Sequence, residues 1–104
     1  MASETAVVHL ITFTGGSTDA AVSNLRGYVE RELARSAPKG FLSAVVLEAK
    51  DGKSASLLSY WQSAEDVEDV SDTAPWEAAM DLCEAVCDDR AEMTYQISGA
   101  AAAD

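Results

Sequence analysis

From Ala6 to Thr14 side chains alternate with a period of two, Val7, His9, Ile11 and Phe13 falling on one side and Val8, Leu10, Thr12 and Thr14 on the other. This is the pattern of a β-strand, and Gly15-Gly16 stops it. Ser17, Thr18 and Asp19 supply helix-start chemistry, after which Val22, Leu25, Val29 and Leu33 recur at helical spacing while Arg26, Glu30, Arg31 and Arg35 take other positions. The spacing predicts an amphipathic helix of about four turns. Pro38, Lys39 and Gly40 break it, and Phe41 to Ala49 resumes as a strand. Asp51-Gly52 is a hairpin signal between that run and Ser54 to Trp61, so these two strands should pair antiparallel.

Ser63 with Asp66 three residues on resembles a capping box and opens a short acidic helix carrying Val67 and Val70. Thr73 and Pro75 start another helix, on which Trp76, Met80, Cys83 and Cys87 form one stripe. Arg90 falls near its end, where a cation suits the negative pole of the helix dipole. Glu92 to Ser98 reads as a last strand with Met93, Tyr95 and Ile97 alternating, and Gly99 to Asp104 as a loose tail.

The order strand, helix, strand, strand, helix, strand predicts an α+β, ferredoxin-like domain, a four-stranded antiparallel sheet with helices on one face. The 104 residues form one domain, with its core over about residues 5–98. Strands one to three carry apolar residues at both parities, Val8, Leu10, Leu42, Val46 and Leu58 against Ile11, Phe13, Val45, Leu47 and Leu57. A sheet with one solvated face should alternate more cleanly. A second copy of the sheet in a twofold homodimer is the simplest cover for the bare face, the alternative being a greasy face left exposed.

Charge narrows the partners. Eighteen acidic against seven basic side chains give a formal charge of −11, so the surface repels phosphate backbones and anionic lipid, and neither nucleic acid nor membrane is expected as a partner. Apolar runs such as Phe41 to Leu47 fall far below the ~18 residues of a membrane span, and Met1 to Thr5 lacks the cationic start of a signal peptide, which makes the cytoplasm the expected location. Cys83 and Cys87 lie four apart on a helix, awkward geometry for a disulfide and half of a zinc site at most. The acidic run Glu65, Asp66, Glu68, Asp69 and Asp72 lacks the spacing of a calcium loop, and no Gly-rich phosphate loop is present. No metal and no bound cofactor are expected.

Several segments together resemble the antibiotic-biosynthesis-monooxygenase-like proteins of the dimeric α+β-barrel group. They are Val7 to Gly16 as first strand and turn, Gly40-Phe41 opening strand two, Tyr60-Trp61-Gln62-Ser63 closing strand three, and Thr73 to Met80 opening the last helix. The resemblance implies a homodimer with a pocket in each subunit between sheet and helices. Members include cofactor-free oxygenases that convert anthrone-like or quinol aromatics to quinones, and haem-degrading enzymes. This chain departs from both. Met80 stands where the haem-degrading branch carries its ligating histidine, and Leu57 where many quinol-oxidising relatives carry an asparagine.

The residues expected at the site are His9, Trp61 and Tyr60 for chemistry, with Trp76, Phe13, Tyr28, Met80 and Tyr95 for substrate. His9 is the one side chain with an ordinary pKa near neutrality, suited to a base or a partner for a phenolate. Trp61 and Trp76 offer flat walls to a ring system, and one tyrosine could hold a carbonyl. Each also has a purely structural reading: a hydrogen-bonded core histidine, a corner tryptophan, a stripe aromatic. The leading expectation, by resemblance, is a small cofactor-independent monooxygenase that uses molecular oxygen to turn a polycyclic phenol of polyketide type into a quinone. A polyketide cyclase or isomerase in the same pocket, and a non-catalytic or stress-associated module that binds a small apolar aromatic ligand, are the alternatives.

Overall fold

The computed structural model describes residues 6–103; Met1 to Thr5, on which the expectation about a signal peptide rests, and Asp104 at the end of the expected tail lie outside the described residues. In chain order the elements are β1 (Val7–Thr14), α1 (Thr18–Tyr28), a π-helical turn (Val29–Leu33), α2 (Ala34–Ser36), β2 (Phe41–Glu48), β3 (Ser54–Trp61), α3 (Ala64–Ser71), α4 (Ala74–Val86) and β4 (Asp89–Gln96). The sheet order is β2-β3-β1-β4 and every neighbouring pair is antiparallel, which is the ferredoxin-like arrangement.

Local chemistry explains most boundaries. Ser17 accepts from the Ala20 N–H and starts α1; Ser63 accepts from the Asp66 N–H and starts α3. Thr73 stands at the N-cap of α4, but its hydroxyl donates back to the Val70 carbonyl at 2.6 Å instead of capping. The first helix is longer than four turns. The Ala34 N–H reaches the Val29 carbonyl five residues back, widening one turn, and the helix continues until Ala37 turns left-handed (φ 44°) ahead of Pro38.

The C-terminal boundaries differ from the pattern-based ones. α4 stops at Val86, Cys87 is extended (φ −122°, ψ 162°), and Arg90 therefore belongs to β4 and not to a helix end. β4 begins at Asp89, because Asp89 to Ala91 pair with Thr14 to Thr12 of β1 despite carrying no apolar alternation. Strand pairing, not hydropathy, sets that end.

The helices cover one face of the sheet over β1 to β3, while the edge strand β4 stays exposed along its length. Ile11, Phe13, Leu25, Ala55, Leu57 and Cys83 are fully buried on the covered face, each large apolar member contributing about 1.5–3 kcal/mol. On the other face the register aligns Val45, Leu58, Leu10 and Met93 in one row across all four strands. Val45 and Met93, at its ends, are 46 % and 56 % exposed. Strand register, not number parity, assigns the faces: Val46 pairs with Leu57 on the helix side, while Val45 and Leu47 lie on the open side. Leu42 sits at an irregularity in the β2–β3 ladder and is exposed.

Candidate functional site

β1 aims His9 at the helices, between Val7 and Ile11 on the buried side of the strand. Its ring is 1 % exposed and packs against Trp76 of α4, centroids 5.5 Å apart. Trp76 in turn meets Tyr28 of α1 edge-on at 5.9 Å. Met80, one turn along α4 from Trp76, is also buried. The structure thus brings His9, Trp76, Met80 and Tyr28 into one cluster between sheet and helices.

The partner of His9 is Glu92 on β4, a residue that sequence reasoning did not single out. His9 Nε2 lies 2.7 Å from Glu92 Oε2. β4 turns Arg90, Glu92 and Thr94 toward the helix side, opposite Phe13, Ile11 and His9 of β1, and turns Met93 and Tyr95 to the open face. Arg90 donates to Glu92 Oε1 at 3.0 Å and is ion-paired with Glu84 of α4 as well, so a chain Glu84, Arg90, Glu92, His9 runs from the surface inward. Burial alone would raise the Glu92 carboxyl; the hydrogen bonds and charges of His9 and Arg90 outweigh it and hold the group below the ordinary carboxylate value. Glu92 therefore faces His9 as an anion.

A cavity of about 460 Å³ opens at Glu92, lined also by Trp76, Met80 and Arg90 with Ser71, Glu77 and Asp81; His9 lies behind Glu92 and Trp76 and does not itself line it. Three carboxylates against one guanidinium, itself held by two acids, make the mouth negative. Such a mouth disfavours an anionic ligand.

The other expected site residues are placed differently. Trp61 is buried, its indole N–H donates to Ser59 Oγ at 2.8 Å and its ring packs edge-on against Phe41, so it braces the strand that faces His9 and does not wall the cavity. Phe13 is fully buried core. Tyr60 and Tyr95 both pair with Val8 and so lie on the opposite face of the sheet from His9, because each is one strand position away from the parity that faces the helices. Tyr28 touches Trp76 but opens on a different recess. Leu57, at the position where relatives were expected to carry asparagine, is core beside Ile11.

The donor set does not fit a haem. Met80 is buried, and His9, the only histidine of the chain, has Nε2 engaged by Glu92. Among the described residues no three His, Cys, Asp or Glu side chains gather as a metal-binding group, and no helix is long and apolar enough to cross a membrane.

No family model matches the chain, and no curated protein sequence does. Solved structures do. A dimeric ferredoxin-like protein from Bacteroides fragilis superposes with a TM-score of 0.73 at 15 % identity, covering 88 % of this chain and 96 % of that one. SnoaB, a cofactor-independent oxygenase from Streptomyces nogalater, gives 0.68 at 13 % identity, covering 94 % and 96 %. The monooxygenase ActVA-Orf6 of Streptomyces coelicolor, solved with the ligand nanaomycin D, gives 0.73 at 17 % identity, covering 97 % and 95 %. At these identities the likeness is one of fold: over nearly its whole length this chain has the ferredoxin-like fold seen in these oxygenases.

Proposed function

We propose that the chain is a cofactor-independent monooxygenase that oxidises an uncharged polycyclic phenol or anthrone to a quinone, with the His9–Glu92 pair as its base. The observation that carries this reading is the 2.7 Å contact of a buried histidine with a carboxylate held ionised, which itself lines a cavity walled by Trp76 and Met80. With Nε2–H donating to Glu92, neutral His9 keeps its lone pair on Nδ1 and can accept a proton, and Glu92 then stabilises the imidazolium. The geometry is that of a base with its orienting acid.

In the reaction, His9 takes the acidic proton of the substrate. The resulting phenolate or enolate passes one electron to dioxygen, and the radical pair recombines to a carbon-bound peroxide. Protonation by His9 and loss of water leave the quinone carbonyl, so one oxygen atom enters the product and the other leaves as water with two substrate hydrogens, both from the methylene of an anthrone, or one from the hydroxyl and one from the reacting carbon of a phenol. The protein supplies a base and an orienting wall in Trp76 and Met80. The fold shared with SnoaB and ActVA-Orf6 supports the assignment; the His–Glu pair supplies polarity that Leu57 does not.

The active unit in this reading is a homodimer. The apolar row Val45, Leu58, Leu10, Met93 lies on the face opposite the site, so a second copy can cover it without blocking the cavity. One observation favours a second reading, binding without turnover: the interior between sheet and helices is filled by His9, Trp76 and Trp61, and the cavity reaches only its edge. Incubation of the metal-free protein with an anthrone under ¹⁸O₂ decides between them. One labelled oxygen in the quinone, lost in His9→Ala, supports the oxygenase; thermal stabilisation by the anthrone with no labelled product supports binding alone.

A further inference from the structure

The Tyr28 ring separates the site above from a second recess of about 330 Å³, between the π-helical turn and α2 on one side and α3 and the start of α4 on the other. We propose that this recess is a separate binding site for a small cationic amine with an apolar body.

The walls are apolar: Leu33, Pro38, Val70 and Pro75, with Tyr28 beside them. The polar groups of the lining are unequally engaged. Ser36 donates to the Glu32 carbonyl at 2.6 Å and Thr73 to the Val70 carbonyl at 2.6 Å, so both hydroxyl protons are already used. What remains toward the recess is largely acceptor: the carboxylates of Glu32, Asp66 and Asp69 against the single ammonium of Lys39. Asp66 is only 6 % exposed, which is costly for a carboxylate unless a donor faces it, and the one side-chain donor it has is the Ser63 hydroxyl at 2.9 Å. Tyr28 is 5 % exposed and lines both this recess and the groove toward Gly27 and Ala78; since no buried polar side-chain atom among the described residues lacks a partner, its phenol oxygen is open to a ligand or to solvent. Burial, then the nearby Glu32, push that phenol up to about 12, so it stays neutral beside the carboxylates.

A ligand that fits must therefore bring donors and positive charge to the carboxylates and an apolar body to the walls. The volume is at the small end of ligand sites and matches one or two rings. Gly40 makes the arrangement possible, since its left-handed backbone (φ +81°) lies directly against the Asp66 carboxylate where any Cβ would collide.

The test is a heteronuclear NMR titration of the full chain with phenethylamine, 2-phenylethanol and 3-phenylpropionate. The proposal expects saturable shifts from the amine at Tyr28, Lys39 and Asp66 to Thr73, with the alcohol and the carboxylate each at least about tenfold weaker. Val70→Trp, which fills the recess, should abolish the shifts. Asp69→Asn on the exposed rim should weaken the amine severalfold and leave the alcohol unchanged, which tests charge recognition without touching the α3 cap at Asp66. Equal binding of the carboxylate, shifts that map to Met80, Arg90 and Glu92, or no saturable shift with the amine would each overturn the proposal. Because neither Tyr28 nor Asp69 lines the cavity at Glu92, oxygenase turnover can fail while this site stands, and the reverse.

Discussion

Replacing Met93 with lysine separates the fold of the protomer from its pairing. Met93 stands at the β4 end of the apolar row and is 56 % exposed, so the protomer loses little: a surface substitution of this kind changes folding stability by about 0.5 kcal/mol or less. In a dimer that covers the row, the exposed half of the methionine becomes buried. Scaling the roughly 1.5–3 kcal/mol for full burial by the exposed fraction gives about 0.8–1.7 kcal/mol per copy. Twofold symmetry doubles this to about 2–3 kcal/mol. Two ammonium groups brought into the interface add a desolvation cost, moderated where the lysine stem lets the charge reach the rim, of roughly 1 kcal/mol or more. A loss of at least about 3 kcal/mol weakens the dimer more than about 100-fold. Sedimentation velocity over a dilution series reads the dissociation constant, and far-ultraviolet dichroism confirms the fold. A folded Met93→Lys protein with unchanged dimer affinity, or a wild type that sediments as a monomer at every concentration, would refute the assignment of this face.

Other consequences are more local. Gly16→Ala should lower thermal stability by about 1–2 kcal/mol or more, because φ is +69° there and the added Cβ would strike the Val86 carbonyl oxygen; an unchanged melting curve would contradict this. The Tyr28 phenol is pushed up to about 12, first by burial and then by Glu32, against 10.0 for a free phenol; the folded state binds this proton more tightly, so stability is intact below pH 10 and falls as pH rises toward 12. At pH 11 wild type and Tyr28→Phe should give nearly the same phenolate absorbance, since Tyr28 adds little below its raised value; an absorbance higher in the wild type by a full tyrosine would contradict it. The Cys83 thiol, buried and pushed up to about 11 by that burial and then by Cys87, should resist a thiol reagent at neutral pH until the protein unfolds, while the half-buried Cys87 reacts in the native state. Rapid modification of both would show that α4 is not packed as described.

The sheet was largely legible in the sequence because its signals are local. The alternation of Val7 to Thr14 and the Asp51-Gly52 turn each specify an element without help from the rest of the chain. β4 was harder. Its apolar residues, Met93 and Tyr95, turn away from the helices, and its charged ones turn to the helix side while staying exposed, Arg90 bridging Glu84 and Glu92 and Glu92 meeting His9. None of those partners is near in sequence to His9, so the pair that makes His9 chemically interesting could not be read from spacing. One signal was available: Arg90, Glu92 and Thr94 share a parity, and a polar stripe on a strand beside a lone buried histidine is a place to look for its partner. The π-helical turn at Val29 had no such signal, since its residues keep ordinary helical spacing. Tyr60 and Tyr95 were misplaced for the simplest reason, a one-residue step along a strand that reverses the face.

The most direct test of the account is oxygen uptake by the purified, metal-free protein with anthrones and dihydroxynaphthalenes, comparing wild type with His9→Ala, Glu92→Gln and Trp61→Ala. The account predicts one dioxygen consumed per quinone formed, loss of at least about 100-fold in His9→Ala, and about 10- to 100-fold in Glu92→Gln, the value of one hydrogen bond to a charged group. Trp61→Ala should act through stability alone, leaving the turnover of the folded fraction intact. Uptake no greater than in boiled protein, or uptake indifferent to His9 and Glu92, would contradict it.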